Sequence, residues 1–493
     1  MKRLINLWLS LSFLFIMSTG LAQVTKINAP DYTVEDCFGW SVSIYGDYAI
    51  IGNVYDDDND IQSGSAYIYL YDGSNWVEQD KIIASDGGFA DYFGYAVSIH
   101  DDQLISGAYR DFVGPVRSGS AYIYHRSGSE WIEAARLVPF DPEEEDRFGA
   151  KVDIQGDFAA VGSYFDDDNG ESSGSVYVYQ KNDETWSFHQ KLTPPDLQAN
   201  DLFGVSVDLS EDYLFIGAIG NSAHATNSGK VYIYELIEDE WELIGEIFPN
   251  DPRVDQNFGN DISADDDHLI VSANMDNELG AQSGAVYVFG KTNDNWIQLQ
   301  KLLPDDGQLG AAFGNTVSIH EDHLVVGSVN NLTQHGESGA IYIYSLDTDD
   351  IWIQSTKIVP ADGHNQQRFG ADVGIWKNNV ITGAPYDGGM GYRCGASYIF
   401  DLDIILKQND NNLPTHKLSC YPNPTTGEIT LYSSGMIMPY TVEVFDARGT
   451  AINQFMVDTP LINFSLSGIP SGIYQLRASS RDGSSVVRKI IVR

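Results

Sequence analysis

Two stretches of the chain carry carboxylates at a spacing that suits a hard cation. Residues 55–65 read YDDDNDIQSGS and residues 164–175 read YFDDDNGESSGS. Alternate side chains of an extended segment point the same way. Asp56, Asp58 and Asp60 in the first run, and Asp166 and Asp168 in the second, can therefore converge on one calcium ion. Loop carbonyls would complete the about 6–8 oxygens that calcium takes. Gly170 falls where the fifth-position oxygen of an EF-hand-like register would stand. The same residue types also build a turn with no metal, because Asx side chains hydrogen-bond nearby backbone and Gly accepts a left-handed conformation. Both readings stand at this level.

A second set of candidates is Lys151, Asp153, Asp208, Asp261 and Asp372, charged residues inside segments that otherwise alternate apolar and small. Paired carboxylates in a channel can do acid/base work, and an extracellular polysaccharide hydrolase or lyase would use such a pair. His320 and His323 flank the hairpin HEDH, which reads as a solvated turn. Paired tyrosines (67 and 69, 122 and 124, 177 and 179, 232 and 234) offer a sugar-stacking platform, although packing accounts for a position that recurs at a fixed period. No Ser-His-Asp grouping, HExxH or phosphate loop stands out.

What must position these residues is a repeat. Phe-Gly recurs at 38, 93, 148, 203, 258, 313 and 369, at intervals of 55 residues and once 56. Twenty-five residues after each Phe comes a small residue and then Gly, from Ser63-Gly64 to Cys394-Gly395. Trp follows in six copies, at 76, 131, 186, 241, 296 and 352. Each copy reads as four strands: FGWSVSI, a Gly46-Asp47 hairpin into YAIIG, then SGSAYIYLY, then a strand opened by Trp76. Seven such units predict an all-β, seven-bladed propeller. The last unit lacks a fourth strand, and VTKINAPD (24–31) matches the fourth-strand endings QKLTPPD (190–196) and TKIVPAD (356–362). The N-terminal segment is thus expected to complete the seventh blade and remove a free edge. On a closed ring Cys37 and Cys394 share a rim of neighbouring blades, which predicts a disulfide between them, two free thiols being the alternative.

The array, residues 23–403, resembles the FG-GAP propeller of integrin α chains and related secreted bacterial proteins. Gly383-Ala384-Pro385 is a complete GAP, and Gly107-Ala108-Tyr109 and Gly162-Ser163-Tyr164 are near variants. In that family calcium sits between FG and GAP. Here that stretch has shrunk to YGDY (45–48), IHDD (99–102) and LSED (209–212), with too few oxygens for the ion.

The composition shifts after residue 403. Residues 404–416 read as a polar linker, and 417–493 as a small Ig-like β-sandwich. The segment Tyr421-Pro422-Asn423-Pro424 with Gly427, FDARG (445–449), Leu466-Ser467-Gly468 with Gly472-Ile473-Tyr474, and Arg488-Lys489 resembles the C-terminal sorting domain of the type IX secretion system. That resemblance implies export by the type IX machinery, followed by release or surface attachment.

At the other end, Lys2 and Arg3 precede an apolar stretch and Gly20-Leu21-Ala22, a signal peptide over residues 1–22 with cleavage near Ala22. No later stretch is apolar and long enough for a membrane-spanning helix. The net charge of −42 sits between the signal and the tail, since the first 22 and the last 78 residues are each slightly basic. Such a field repels nucleic acid and anionic lipid, and favours cations, basic proteins or neutral glycans as partners. The expectation is a secreted or cell-surface binding or adhesion protein with no catalytic residues. A protein or glycan ligand would meet the rim loops 55–63, 109–117, 164–173, 219–227, 274–282, 329–337 and 385–393, because loops on a rigid scaffold carry the variation. The alternative is the polysaccharide enzyme.

Overall fold

A computed structural model describes residues 24–492 apart from 184, 293–294, 348–349, 411–416, 422–424, 426, 435–437, 447–449, 460 and 481–484. The expected signal peptide and much of the YPNP and FDARG motifs lie outside the described residues. Seven four-stranded antiparallel sheets form the array. Sheet 1 runs Phe38–Tyr45, Tyr48–Asn53, Ser65–Tyr71 and Trp76–Ile82. Sheets 2 to 6 repeat that order, and their first strands pack side by side around the axis. In sheet 7, Val24–Ile27 lies beside Ala396–Asp401, with Val24 opposite Phe400 and Ile27 opposite Ser397. A parallel bridge from Phe38 to Gly395 joins sheets 7 and 1, as one from Phe93 to Gly64 joins sheets 2 and 1.

The two dipeptides that mark the repeat meet at these seams. Each Phe of Phe-Gly is fully buried and stands edge-on to the first tyrosine of its own third strand, with centroids 5.4 Å apart for Phe38–Tyr67 and 5.2 Å for Phe203–Tyr232. Such a pair adds about 0.5–1.5 kcal/mol to the burial of the rings. The glycine is needed for close approach: Gly94 has φ +86°, and a Cβ there would stand 2.3 Å from the Ser65 carbonyl oxygen of sheet 1. Apolar side chains of adjacent sheets interdigitate throughout. Ile50 and Ile68 of sheet 1 meet Phe93 and Leu104 of sheet 2, and Ile381 and Ile399 of sheet 7 meet Phe38 and Val42 of sheet 1.

The expected linker begins instead as a helix, Leu402–Asp410. Asp401 caps it by accepting from the Ile404 N–H at 3.3 Å, while Leu402 and Ile405 are buried against sheet 7. The i, i+3 apolar pair carried that signal, and the polar residues around it masked it. Beyond it, Lys417–Tyr421, Glu428–Ser434 and Leu461–Ser465 form one sheet. Ala451–Val457, Tyr440–Phe445, Gly472–Ser479 and Ser485–Val492 form a second. Leu418, Leu431, Val442, Leu476 and Ile490 share the core between them. Among the described residues no helix is long and apolar enough to cross a membrane.

Candidate functional site

The acidic loops do converge, but on an amine. Asp166 follows the second strand of sheet 3, and Lys191 stands near the end of its fourth strand, Thr185–Leu192. Lys191 Nζ lies 2.8 Å from Asp166, 2.6 Å from Asp168 and 2.9 Å from Asp141 on the preceding loop. Tyr177 donates to Asp141 at 2.6 Å and to Asp166 at 3.2 Å. Burial works against the charged amine, yet its hydrogen bonds to Asp166, Asp168 and Asp141 outweigh this and hold its pKa above the ordinary lysine value. Sheet 1 repeats the arrangement, with Lys81 at 2.8, 2.9 and 2.5 Å from Asp31, Asp56 and Asp58.

This donor set does not fit calcium. Asp56 Oδ2 also accepts from Asn53 and Ser65, each at 2.8 Å, and its Oδ1 accepts from the Asp58 N–H at 2.9 Å. Asp60 takes no part, its carboxylate accepting from the Ile61 N–H at 2.7 Å. Among the described residues no group of three His, Cys, Asp or Glu is placed to hold a metal. Asp56 and Asp166 close Asx-type turns by accepting from the N–H groups of Asp58 and Asp168, whose own carboxylates go to Lys81 and Lys191, so an ammonium stands where a divalent ion would be needed.

The axial charges hold neighbouring sheets together. The first strand of each sheet has an unpaired edge, and at six of the seven seams a side-chain oxygen of the preceding sheet accepts from one of its N–H groups among the described residues. Asp372 accepts from Val42 N at 2.8 Å, Asp153 from Leu209 N at 2.7 Å, Asp208 from Ala264 N at 3.2 Å and Asp261 from Val317 N at 2.9 Å. Ser41 and Ser43 serve Val97 and Ile99 in the same way, at 3.2 and 3.3 Å. Lys151 reaches Asp261 at 2.8 Å. Burial, and then the Asp153 and Asp261 charges, push Asp208 well above the usual carboxylate range; burial also raises Asp153 and Asp372. The repeat had put these residues near the axis, but spacing alone did not tell a seam cap from an acid/base pair.

The HEDH hairpin turns at exposed Glu321-Asp322, as expected, and the two histidines that flank it are half-buried. His320 stacks on Trp376 of sheet 7 at 4.3 Å, and His323 Nδ1 lies 3.3 Å from Ser345 Oγ; burial lowers the pKa of both.

Cys37 and Cys394 are free, buried thiols, so the expected disulfide is corrected. Their backbones do meet, with Phe38 N donating to Cys394 O at 3.1 Å. Their repeat positions aim the side chains apart. Cys394 fills the slot where Ser173 and Ser283 turn into their own loops to donate to the Asp166 and Asp276 carbonyls, at 3.2 and 3.1 Å. Accordingly its Sγ lies 2.7 Å from where a Cβ on Gly391 would be. Cys37 fills the slot from which Arg147 and Arg368 reach over Tyr164 and Tyr386. Burial pushes the Cys37 thiol up to about 12.

The loop face of the 6–7 seam holds a cavity of about 400 Å³, lined by His364, Gln366, Tyr386, Tyr392 and Arg393 among others. Tyr392 is 61% exposed. The sequence reading reached Tyr386, Tyr392 and Arg393 only as part of the 385–393 rim loop, and it missed His364 and Gln366. The one local signal in that loop was two tyrosines and an arginine in a glycine-rich run.

The FG-GAP repeat model matches seven times, at residues 21–69, 76–124, 131–179, 186–234, 241–289, 296–344 and 352–400. A secretion system C-terminal sorting domain matches residues 419–493. No curated protein matches the chain. Among solved structures, PorZ of Porphyromonas gingivalis, described as an essential bacterial surface component of the type-IX secretion system, is 11% identical with a TM-score of 0.43. That match covers 95% of this chain and 61% of PorZ.

Proposed function

This chain belongs to the FG-GAP repeat family, and from that premise we propose that it is an exported surface or extracellular binding protein whose loop face meets a protein or glycan ligand. The sorting domain at 419–493 supports the export step by the type IX machinery. A signal peptide ending near Ala22 would bring the chain to that machinery, and an Ig-like tail would then be its address. Pairing of Val24–Ile27 with the last sheet supports a sealed ring that holds the loops rigid.

One observation carries the binding reading over the polysaccharide enzyme. Asp153, Asp208, Asp261 and Asp372, the axial carboxylates that an acid/base mechanism would use, each accept a backbone N–H of the next sheet. A carboxylate so engaged is a poor proton shuttle. Two measurements test the proposal. Deleting 419–493 is expected to keep the chain inside the cell, and its undiminished appearance outside would defeat the export step. Incubating the full chain with extracellular polysaccharides is expected to give capture without new reducing ends. Turnover that Asp208→Asn abolishes would move the reading to catalysis.

A further inference from the structure

The repeat supplies its own control for what the loop face needs in order to fold. Sheets 4 to 6 have Ile219, Asn274 and Val329 as the first residue after the second strand, and they fold with the same four strands. Sheets 2 and 3 put Tyr109 and Tyr164 there. The rings of Trp40, Tyr55, Tyr92, Tyr95 and Tyr109 lie 4.3–6.0 Å apart, in a half-buried run across sheets 1 and 2. Guanidinium groups bracket the run. Arg147 stands 4.2 Å from the Phe165 centroid and 5.7 Å from Tyr109, while Arg368 and Arg393 stand 4.5 and 4.4 Å from Tyr386 at the cavity.

These arginines are spare charges. The chain has 70 Asp and Glu against 28 Lys and Arg, and Arg136 and Arg253 each hold a carboxylate, at 2.7 and 2.8 Å. Among the described residues no carboxylate stands within 4.0 Å of Arg147, Arg368 or Arg393. Arg147 donates one guanidinium N–H to the Tyr164 hydroxyl at 2.8 Å, and its Nε is buried without a hydrogen-bond partner. Ion pairing within the described chain does not use them.

Resting on the binding reading above, we propose that this arc, from the cavity at Arg393 to Arg147, binds an anionic glycan: mostly neutral sugar rings that lie on the tyrosines, with spaced carboxylate or sulfate groups taken by the arginines. Aromatic faces suit the apolar faces of sugar rings, and a guanidinium suits a planar anion. The acidic body of the protein disfavours a ligand charged at every unit, such as an acidic peptide or nucleic acid. Beyond roughly 8–10 Å at physiological salt that field is screened, so the local arginines decide for sparse charges.

Calorimetric titration of the full chain at physiological salt, with hyaluronan (one carboxylate per disaccharide), κ-carrageenan (one sulfate per disaccharide), dextran and poly-glutamate, tests this. Hyaluronan or κ-carrageenan is expected to bind at least about tenfold more tightly than dextran and poly-glutamate, as befits a charge-assisted contact. Preference between the two charged polymers tells carboxylate from sulfate. Arg393→Gln and Arg147→Gln are each expected to weaken binding about tenfold with the melting midpoint unchanged. Equal binding of dextran, tight binding of poly-glutamate, no binding of either charged glycan, or indifference to both substitutions would overturn the inference. Cell-surface capture that survives the double arginine variant but is lost in Leu309→Asp, on an exposed loop tip of the same face, would overturn the glycan site and leave the general binding reading intact. Loss of all surface capture in the unaltered chain would remove both.

Discussion

Sheets 3 and 4 solve one electrostatic problem with opposite signs. In sheet 3 the loop supplies Asp166, the third strand Ser175 and the fourth strand Lys191, and the amine binds Asp166 at 2.8 Å. In sheet 4 the corresponding residues are Asn221, Lys230 and Glu246, and Lys230 reaches Asp196 and Glu246 at 2.5 Å each. The tyrosine is retained, Tyr232 donating to Asp196 at 3.1 Å as Tyr177 donates to Asp141. What both sheets keep is a cation beside the aspartate that follows the preceding fourth strand. A metal-binding loop would keep its oxygens; here the oxygens are exchanged and the amine moves to follow them. The clusters are therefore ties between a loop and its sheet.

Removing the cation should break the comparison most severely. Lys191→Ala leaves Asp141, Asp166 and Asp168 facing one another, with the Asp166 side chain only 4% exposed. Deleting one partner of a buried pair costs about 3–5 kcal/mol, and we expect about 3 kcal/mol here because Asp168 is half exposed. Lys230→Ala should cost less, about 1–2 kcal/mol, since Asp196 and Glu246 are 51% and 45% exposed and water screens them. Urea midpoints of the two variants give the order; equal losses would refute it. A swap sharpens the point. Glu246→Lys alone sets two amines together and is expected to destabilise, whereas adding Asn221→Asp and Lys230→Ser rebuilds the sheet 3 pattern and should recover most of the loss. If the triple variant is no better than the single, the two clusters are not equivalent.

The repeat was legible because seams demand fixed residues. Phe at a fully buried ring site and Gly at φ +86° tolerate few substitutes, so they stayed in step along the chain. Partners across space left no such mark. Nothing in YFDDDNGESSGS says that Lys191 lies above it, because a lysine in a fourth strand looks like any solvent-facing residue. The two cysteines illustrate the same limit, since backbone adjacency follows from the ring but side-chain direction follows from the slot each fills. The arc of rings was hidden because its members come from different positions of different repeats.

A smaller effect separates the sheets by pH. Asp146 accepts from the Glu143 N–H at 2.9 Å, just as the amide Gln256 accepts from Arg253 N at 2.6 Å in sheet 5. Burial, reinforced by Asp166, pushes Asp146 up to about 7, and burial pushes Asp91 to about 6. A carboxyl raised in the folded state binds more protons there than in the unfolded chain, so its contribution is full below about pH 4 and is lost as pH rises through its folded value. Asp146→Gln should therefore raise the melting midpoint at pH 8, raise it less at pH 5 and change it little at pH 4. A gain that is equal at all these values would place the effect in packing instead of ionisation.

The smallest expected effect is none at all. If the ammoniums of Lys81 and Lys191 occupy the centres of their acidic loops, calcium must displace a tethered cation already 2.5–2.9 Å from three carboxylates. A site filled at a hundred times its dissociation constant would add about 2.7 kcal/mol of stability. Millimolar calcium or a chelator is expected to leave the melting midpoint where it was. Lys191→Ala supplies the contrast, because it frees three carboxylates around one vacated point. Calcium that stabilises Lys191→Ala but not the unaltered chain would show that the lysine does the work of an ion. Calcium that stabilises the unaltered chain would return Asp166 and Asp168 to the role of metal ligands and end the reading of these loops as amine-held turns.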